Sequence, residues 1–398
     1  MTTDFAATKA QFHLPEGVIY LDGNSLGPMP VTAAARVAET ITAEWGEMLI
    51  RAWNKAGWMD MPSRVGDRIA RLIGAEAGHV VMGDTLSIKV YQALASCVQM
   101  NPQRRVILSD TGNFPSDLYM AQGLCGTLGG EYRLKTVEPE AVLAAIDASV
   151  AVVMITEVDY RTGRRHDMAA LSARAHEVGA LIIWDLAHSA GAFPVGVSAG
   201  GADFAVGCSY KYLNSGPGGP AFIYVAPRHA GKVQPALSGW LGHEAPFAFD
   251  RDYRPAPGIQ RMRVGTPPIL QLAALDAALD VWDRVDLDDL RAASLALTDR
   301  FIAGVEATCP TLSLVTPRDH AQRGSQVSFR HPEGYAIMQA LMAAGVIGDF
   351  RAPDILRFGF TPLYIGLAEV DIAVAVLQRI MASDAWDRPE FKARVKVT

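Results

Sequence analysis

The chain predicts an α/β protein: a large domain on a mostly parallel central sheet, followed by a smaller C-terminal α+β domain. Three observations carry this. Short apolar runs alternate with segments of helical spacing, and the runs are continuously apolar, as strands buried on both faces require. The 398 residues, half of them apolar, suffice for two domains with sizeable cores. The character of the chain changes after Thr266, where Pro267-Pro268 marks a break.

Taken in order, residues 106–108, 151–155, 181–184, 202–207 and 221–225 read as buried strands. Between them, residues 168–178 place Leu171, Ala175 and Val178 at helical offsets. This alternation puts a site at the carboxyl ends of the strands. Beyond the proline pair, 269–307 is one long Ala/Leu/Asp-rich helical stretch. Strand-like runs follow at 312–315, 326–329 and 355–360, with helices over 334–344 and 369–382. The expected division is an N-terminal segment, 1–50, a large domain, 51–268, and an interdomain helix with the small C-terminal domain, 269–398. The sequence shows no internal repeat.

Composition removes several classes of function. A net charge of −6 and the lack of a basic patch argue against nucleic-acid binding. Arg104-Arg105 and Arg164-Arg165 read as isolated solvated pairs. No stretch approaches ~20 uninterrupted apolar residues, so no membrane span is expected. The first seventeen residues lack a basic start and an apolar run, so no secretory leader is expected. Cys97, Cys125, Cys208 and Cys309 have neither CxxC nor His-paired metal spacing; they read as inert thiols of a cytoplasmic protein, with no metal.

The chemistry gathers around Lys211. It lies in Cys208-Ser209-Tyr210-Lys211-Tyr212-Leu213-Asn214-Ser215-Gly216-Pro217-Gly218-Gly219, one βα step after Trp184-Asp185-Leu186-Ala187-His188. A lysine alone after a strand is usually a solvated surface residue. An aspartate at the end of the preceding apolar strand changes the reading. The pair is what a pyridoxal phosphate enzyme needs: an amine to hold the cofactor aldehyde and a carboxylate for the pyridinium nitrogen. Gly83-Asp84-Thr85-Leu86-Ser87, ahead of a helical run, suits a phosphate at a helix N-terminus, although alone it is an ordinary cap.

These motifs resemble kynureninase, above all its bacterial members. Tyr20-Leu21-Asp22-Gly23-Asn24-Ser25-Leu26-Gly27 is similar to the family's N-terminal signature, and Asn113-Phe114-Pro115-Ser116-Asp117 to its cofactor-stacking loop. The Asp185 and Lys211 motifs, Gly239-Trp240-Leu241-Gly242-His243, and Arg357-Phe358-Gly359-Phe360-Thr361-Pro362-Leu363-Tyr364 follow in the family's order. The resemblance covers nearly the whole chain. It implies the fold-type-I pyridoxal phosphate architecture, related to aspartate aminotransferase, in a homodimer with shared active sites. Residues 51–268 would be the cofactor-binding domain, with 1–50 contributing to the small domain and the active site.

The resemblance also implies roles. Lys211 holds the cofactor and, once free, shuttles protons; Asp185 keeps the pyridine nitrogen protonated; Tyr210 reaches the phosphate and is a candidate general acid. Leu86 and Ser87 offer phosphate contacts, Phe114 stacks on the ring, and Asp117 and His188 line the cofactor site. Trp240 and Thr266 come from the partner subunit. Arg357 takes the substrate α-carboxylate as a bidentate guanidinium. Trp53 and Ser25 lie toward the aromatic end of the substrate, and Asp159 and Tyr160 make further contacts at a strand end. The implied reaction is hydrolysis of L-kynurenine to anthranilate and L-alanine in tryptophan degradation, a route that also feeds NAD biosynthesis, with 3-hydroxykynurenine slower. Trp53 and Thr266 stand where eukaryotic members that favour the hydroxylated substrate carry His and Asn.

Three residues depart from the bacterial pattern: Lys89 for Asn, Leu86 for Thr, and Leu241 for Phe. The first two touch the phosphate turn, and Leu241 would remove an aromatic wall from the substrate pocket. Rival readings are a class V aminotransferase, a cysteine desulfurase using Cys309 on a mobile loop, and a catalytically silent binding protein of the same fold.

Overall fold

A computed structural model describes residues 2–394. Its centre is a seven-stranded sheet. In chain order the strands are β1 (Val80–Met82), β2 (Val106–Asp110), β3 (Arg133–Val137), β4 (Val150–Thr156), β5 (Leu181–Asp185), β6 (Phe204–Gly207) and β7 (Phe222–Val225). Their spatial order is β1-β7-β6-β5-β4-β2-β3. All neighbours are parallel except β7, which runs antiparallel to both β1 and β6.

The strands expected at 106–108, 151–155, 181–184, 202–207 and 221–225 are all present, within a few residues at their ends. Successive side chains of β4 point to opposite faces: Val152 and Met154 to one apolar layer, Val153 and Ile155 to the other. One layer is closed by α2 (Leu86–Met100), which buries Val90, Ala93, Leu94 and Cys97 against β4 and β6. Each of its fully buried large side chains contributes about 1.5–3 kcal/mol. The other layer is closed by α4 (Met168–Glu177) through Leu171 and Ala175, and by α1 (Met61–Ile73). The helix between β2 and β3 is α3 (Pro115–Leu128). Strands β1 and β3 escape the sequence pattern. The first has only three residues, and β3 is an edge strand whose Arg133, Lys135 and Thr136 face water, with Leu134 and Val137 only partly buried.

The helical stretch at 269–307 is two helices, not one. α5 (Ile269–Leu279) leads into a 3-10 turn, Asp280–Arg284, and α6 (Leu287–Thr308) starts afresh. Asp286 breaks the run because its carboxylate accepts from the Asp288 and Asp289 amides as an N-cap.

The small domain packs α6, α7 (Gly334–Ala343) and α8 (Leu367–Ala382) on a four-stranded antiparallel sheet. Its strands are β8 (Ser313–Leu314), β9 (Gln326–Arg330), β10 (Asp349–Arg351) and β11 (Ile355–Gly359), in the order β8-β9-β11-β10. The N-terminal segment lies against this domain. Ile19–Tyr20 pairs in parallel with Val346–Ile347, and the Gly359 amide donates to the Leu21 carbonyl at 2.7 Å. That docking delivers Asp22 and Ser25 to the end of β11.

Candidate active site

The carboxyl ends of β4, β5 and β6 lie side by side, with Thr156 opposite Asp185 and Asp185 opposite Val206. Asp185 is the last residue of β5 and is buried. Its carboxylate accepts from the Ala187 amide at 2.9 Å and from the Thr156 hydroxyl at 3.4 Å. Burial raises its pKa to about 6 against the lowering pull of Lys211, the Ala187 amide and Thr156. Lys211 comes from the turn after β6. Its Nζ lies 3.0 Å from His188 Nε2. The N-terminal signature supports this turn: the Gly27 amide donates to the Tyr210 carbonyl at 2.8 Å, and a Cβ on Gly27 would collide with the Lys211 carbonyl oxygen.

Tyr210 borders the same space, with Lys211 Nζ 5.9 Å from its ring centre. The neighbouring Cys208, and then burial, push its phenol above the usual range, so it stays protonated. Asp117, on the first turn of α3, is buried with its Oδ2 unpartnered. Burial, and then Asp185, push its carboxyl well above the ordinary range.

Two features face outward. Phe114, at the start of α3, is 43 % exposed although apolar, and meets Tyr160 edge-on at 5.2 Å. Thr85 gives α2 no side-chain cap, so the amides of Leu86 and Ser87 begin a fifteen-residue helix unclaimed by it. Ser87 Oγ shares a hydrogen bond with Ser116 Oγ at 2.9 Å, joining the starts of α2 and α3. A free amine, a buried carboxylate below it, an orphaned carboxylate oxygen, an exposed ring and an uncapped helix start form one constellation. Those groups fit pyridoxal phosphate: amine to aldehyde, Asp185 to ring nitrogen, helix start to phosphate.

Arg357 sits deeper than a lone carboxylate receptor. It is 1 % exposed and its guanidinium is engaged on all sides. Nε and Nη2 pair with Asp349, directly across on β10; Nη1 donates to the Tyr160 carbonyl at 2.6 Å; Nη2 also reaches Ser25 Oγ at 2.6 Å. Arg351, half-buried, shares Asp349 Oδ2 at 2.7 Å. Two guanidinium groups thus hold one aspartate. Asp349 is kept below the usual carboxylate range by Arg357, while Asp22 beside it rises to about 7, by burial first and Asp349 second. With Asp22 protonated the group carries one net positive charge, the complement of one carboxylate.

Several expected residues stand elsewhere. Ser25, expected toward the aromatic end, lies against the Arg357 guanidinium, the group expected to take the α-carboxylate. Trp53 packs edge-on against Trp58 at 5.6 Å. The Asp159 carboxylate caps its own turn through the Arg161 and Thr162 amides, while Tyr160 forms the wall against Phe114. Thr266 is exposed and shares a small cleft with Gly83, Asp84 and Lys89 of its own chain. Trp240 is exposed and meets Phe247 at 5.8 Å.

Leu241 is 3 % exposed and its amide donates to the Val264 carbonyl, so it packs beneath the Trp240 turn and is no open pocket wall. Lys89 is buried, its Nζ on Asp84 Oδ2 (3.1 Å), Gln92 Oε1 (2.9 Å) and the Met262 carbonyl (3.3 Å). Cys309 is buried at the end of α6 with its thiol pushed up by burial, which removes the mobile, reactive cysteine that a desulfurase reading requires.

Sequence reasoning missed Thr156, Asn113, Gln326 and Asp349. Thr156 donates to Asn113 Oδ1 and faces Asp185, and Asn113 Nδ2 donates to Ser109 Oγ at 2.9 Å. Asn113 lay inside a recognised motif and its partner Thr156 directly followed a predicted strand; Gln326 and Asp349 gave no local signal.

A profile described as the kynureninase C-terminal domain matches residues 290–377. A kynureninase of Pseudomonas fluorescens is 53 % identical over 400 aligned positions, covering 99 % of this chain and 96 % of the relative. A kynureninase of Burkholderia pseudomallei strain 1106a gives the same identity and coverage. Among solved structures, an apo cysteine desulfurase of Thermococcus onnurineus NA1 superposes with a TM-score of 0.82 at 20 % identity, covering 96 % of this chain and all of that one. A C-DES mutant with glycine covalently linked to its PLP cofactor gives 0.79 at 19 % identity, covering 95 % and 99 %. At those identities the structures establish the fold: fold-type-I α/β, with a mostly parallel central sheet.

Proposed function

This chain belongs to the kynureninase family, and from that we propose that it hydrolyses the Cβ–Cγ bond of L-kynurenine, giving anthranilate and L-alanine. The full-length identity of 53 % carries the reaction; the geometry around Lys211 supports the roles proposed for its parts. The enzyme works with pyridoxal phosphate, which when bound supplies the electron sink for the pair left at the substrate Cα.

Lys211 is the residue that would hold the cofactor, with Asp185 on the ring nitrogen, Phe114 on the ring face, and Leu86 and Ser87 at the phosphate. Substrate binding frees the Lys211 amine, which takes the proton from Cα. His188 Nε2, 3.0 Å from that amine, keeps it in place. The Arg357, Arg351 and Asp349 group takes the α-carboxylate, fixing which bond at Cα faces Lys211. Tyr210, held protonated, is the donor for the γ-carbonyl oxygen as water adds. Collapse of the hydrated ketone breaks Cβ–Cγ; the benzoyl carbon leaves as the anthranilate carboxylate, and Cβ is protonated to give alanine.

The reading extends to a homodimer in which Trp240 and Thr266 complete the partner's phosphate pocket, to a cytoplasmic place in tryptophan degradation, and to slower turnover of 3-hydroxykynurenine. Exposed Trp240 and Thr266 support the first of these. The test is anthranilate fluorescence from the purified protein with pyridoxal phosphate and L-kynurenine, beside Lys211→Ala. Anthranilate from the wild type alone is expected. Its absence from a cofactor-loaded wild type would remove the kynureninase reading and leave the fold.

A further inference from the structure

Gln326 lies outside every motif that pointed to the site, yet it is the residue that reaches His188. It starts β9 and is fully buried. Its Nε2 donates to the Asp159 carbonyl at 3.3 Å and the Tyr160 carbonyl at 3.1 Å. Those two acceptors permit one orientation of the amide, because an oxygen turned toward them would set lone pair against lone pair. Oε1 therefore faces His188 Nδ1 at 3.1 Å and accepts. Nδ1 must carry the proton.

A neutral imidazole has one N–H. Nε2, 3.0 Å from Lys211 Nζ, then presents a lone pair. His188 is held neutral, its pKa pushed well down by burial first and then by Lys211, Arg357 and Arg351. Those three cations surround it from the turn after β6, from β11 and from β10; Asp185 ends the strand that leads into the His188 turn, and Asp349 lies beyond the guanidinium groups.

We infer that Gln326 is a positioning residue of the reaction: by fixing His188 as the Nδ1–H tautomer, it makes Nε2 the acceptor that aims the Lys211 amine. The inference deepens the proposed function and rests on Lys211 as the amine that holds the cofactor and moves the proton. With the other tautomer, an Nε2–H would point at Lys211 and oppose its protonated form. The same amide ties His188 to the Tyr160 carbonyl that Arg357 also uses, so one small-domain residue aligns the proton-moving group with the carboxylate receptor.

The test is ¹⁵N NMR of histidine-labelled protein, cofactor-loaded and apo, with His188→Gln used to assign the signal. The wild type should show a neutral Nδ1–H tautomer from about pH 6 to about pH 9, where an ordinary histidine titrates. Gln326→Leu should move the signal toward Nε2–H, shift cofactor re-uptake by the apoenzyme to lower pH, and lower kcat about ten- to a hundredfold, the order seen when a histidine loses its orienting partner; KM should change little. Gln326→Glu should convert His188 to imidazolium. An Nε2–H tautomer in the wild type, or an unchanged tautomer and pH profile in Gln326→Leu, would overturn the inference. Should Gln326→Leu not fold, the wild-type tautomer and Gln326→Glu decide. Failure to form anthranilate is a separate result, which removes the reaction while the tautomer stands on its own measurement.

Discussion

Asp22 and Asp349 show how one charged side chain fixes the protonation of another. Asp349 stays ionised because Arg357 binds it with two donors, and Asp22 takes up the proton instead. Its folded pKa lies above the unfolded value, so between about pH 4 and about pH 7 the folded protein holds a proton that the unfolded chain has released. Stability from this group falls as pH rises through that window. Asp185 adds the same sign up to about 6. His188, held neutral, has the opposite sign near the ordinary histidine pKa. The clean measurement is therefore a difference: the Tm of wild type minus that of Asp22→Asn should decrease steadily as pH rises across the window. A constant difference would show that Asp22 is ionised throughout. Arg357→Lys loses the planar fork and should raise KM for L-kynurenine about ten- to a hundredfold, the worth of a charged hydrogen bond or two; steady-state anthranilate fluorescence reads it.

At the scale of elements, the start of α2 is the feature to test. Its first turn is uncapped by Thr85 and stands on a turn with Asp84 at φ 55°. Ser87→Ala should weaken pyridoxal phosphate binding about tenfold or more, since a hydrogen bond to a charged group is worth about 1.5–3 kcal/mol; absorbance titration of the apoenzyme measures it. Lys89 braces the same turn from beneath, joining Asp84 to Gln92 and the Met262 carbonyl. Lys89→Ala leaves buried acceptors short of a donor and should cost about 1–3 kcal/mol in apoenzyme stability. Urea unfolding with an unchanged midpoint would rule out that bracing.

At the scale of the molecule, one exposed aromatic patch is the feature to test. Trp240, Phe247 and Phe249 form a chain of edge-on rings, with Phe249 78 % exposed. Exposed apolar patches of this kind mark interfaces. The protein is expected to sediment as a homodimer, and Phe249→Asp should shift it toward monomer and lower cofactor retention together. A dimer that survives unchanged would place the interface elsewhere.

The large-domain strands at 106–108, 151–155, 181–184, 202–207 and 221–225 were legible because burial on both faces writes a local, unbroken apolar run. Asp185 and Lys211 were legible because one ends a strand and the other lies on the turn just after the next, where position along the chain fixes position in space. Ser25, expected at the aromatic end, is set beside Arg357 by the pairing of the N-terminal segment with β11, more than three hundred positions away, and Asp349, expected nowhere, by the turn that lays β10 against β11, eight positions from Arg357. Gln326 was hidden for the same reason: its partners on the loops after β4 and β5 meet it only when the small domain docks. Local chemistry and periodicity therefore determined the architecture and the pair Asp185 and Lys211 proposed to hold the cofactor. The partners that set the tautomer of His188 and bring Ser25 to Arg357 are long-range contacts, which hydrogen-bond geometry creates only once the chain has folded.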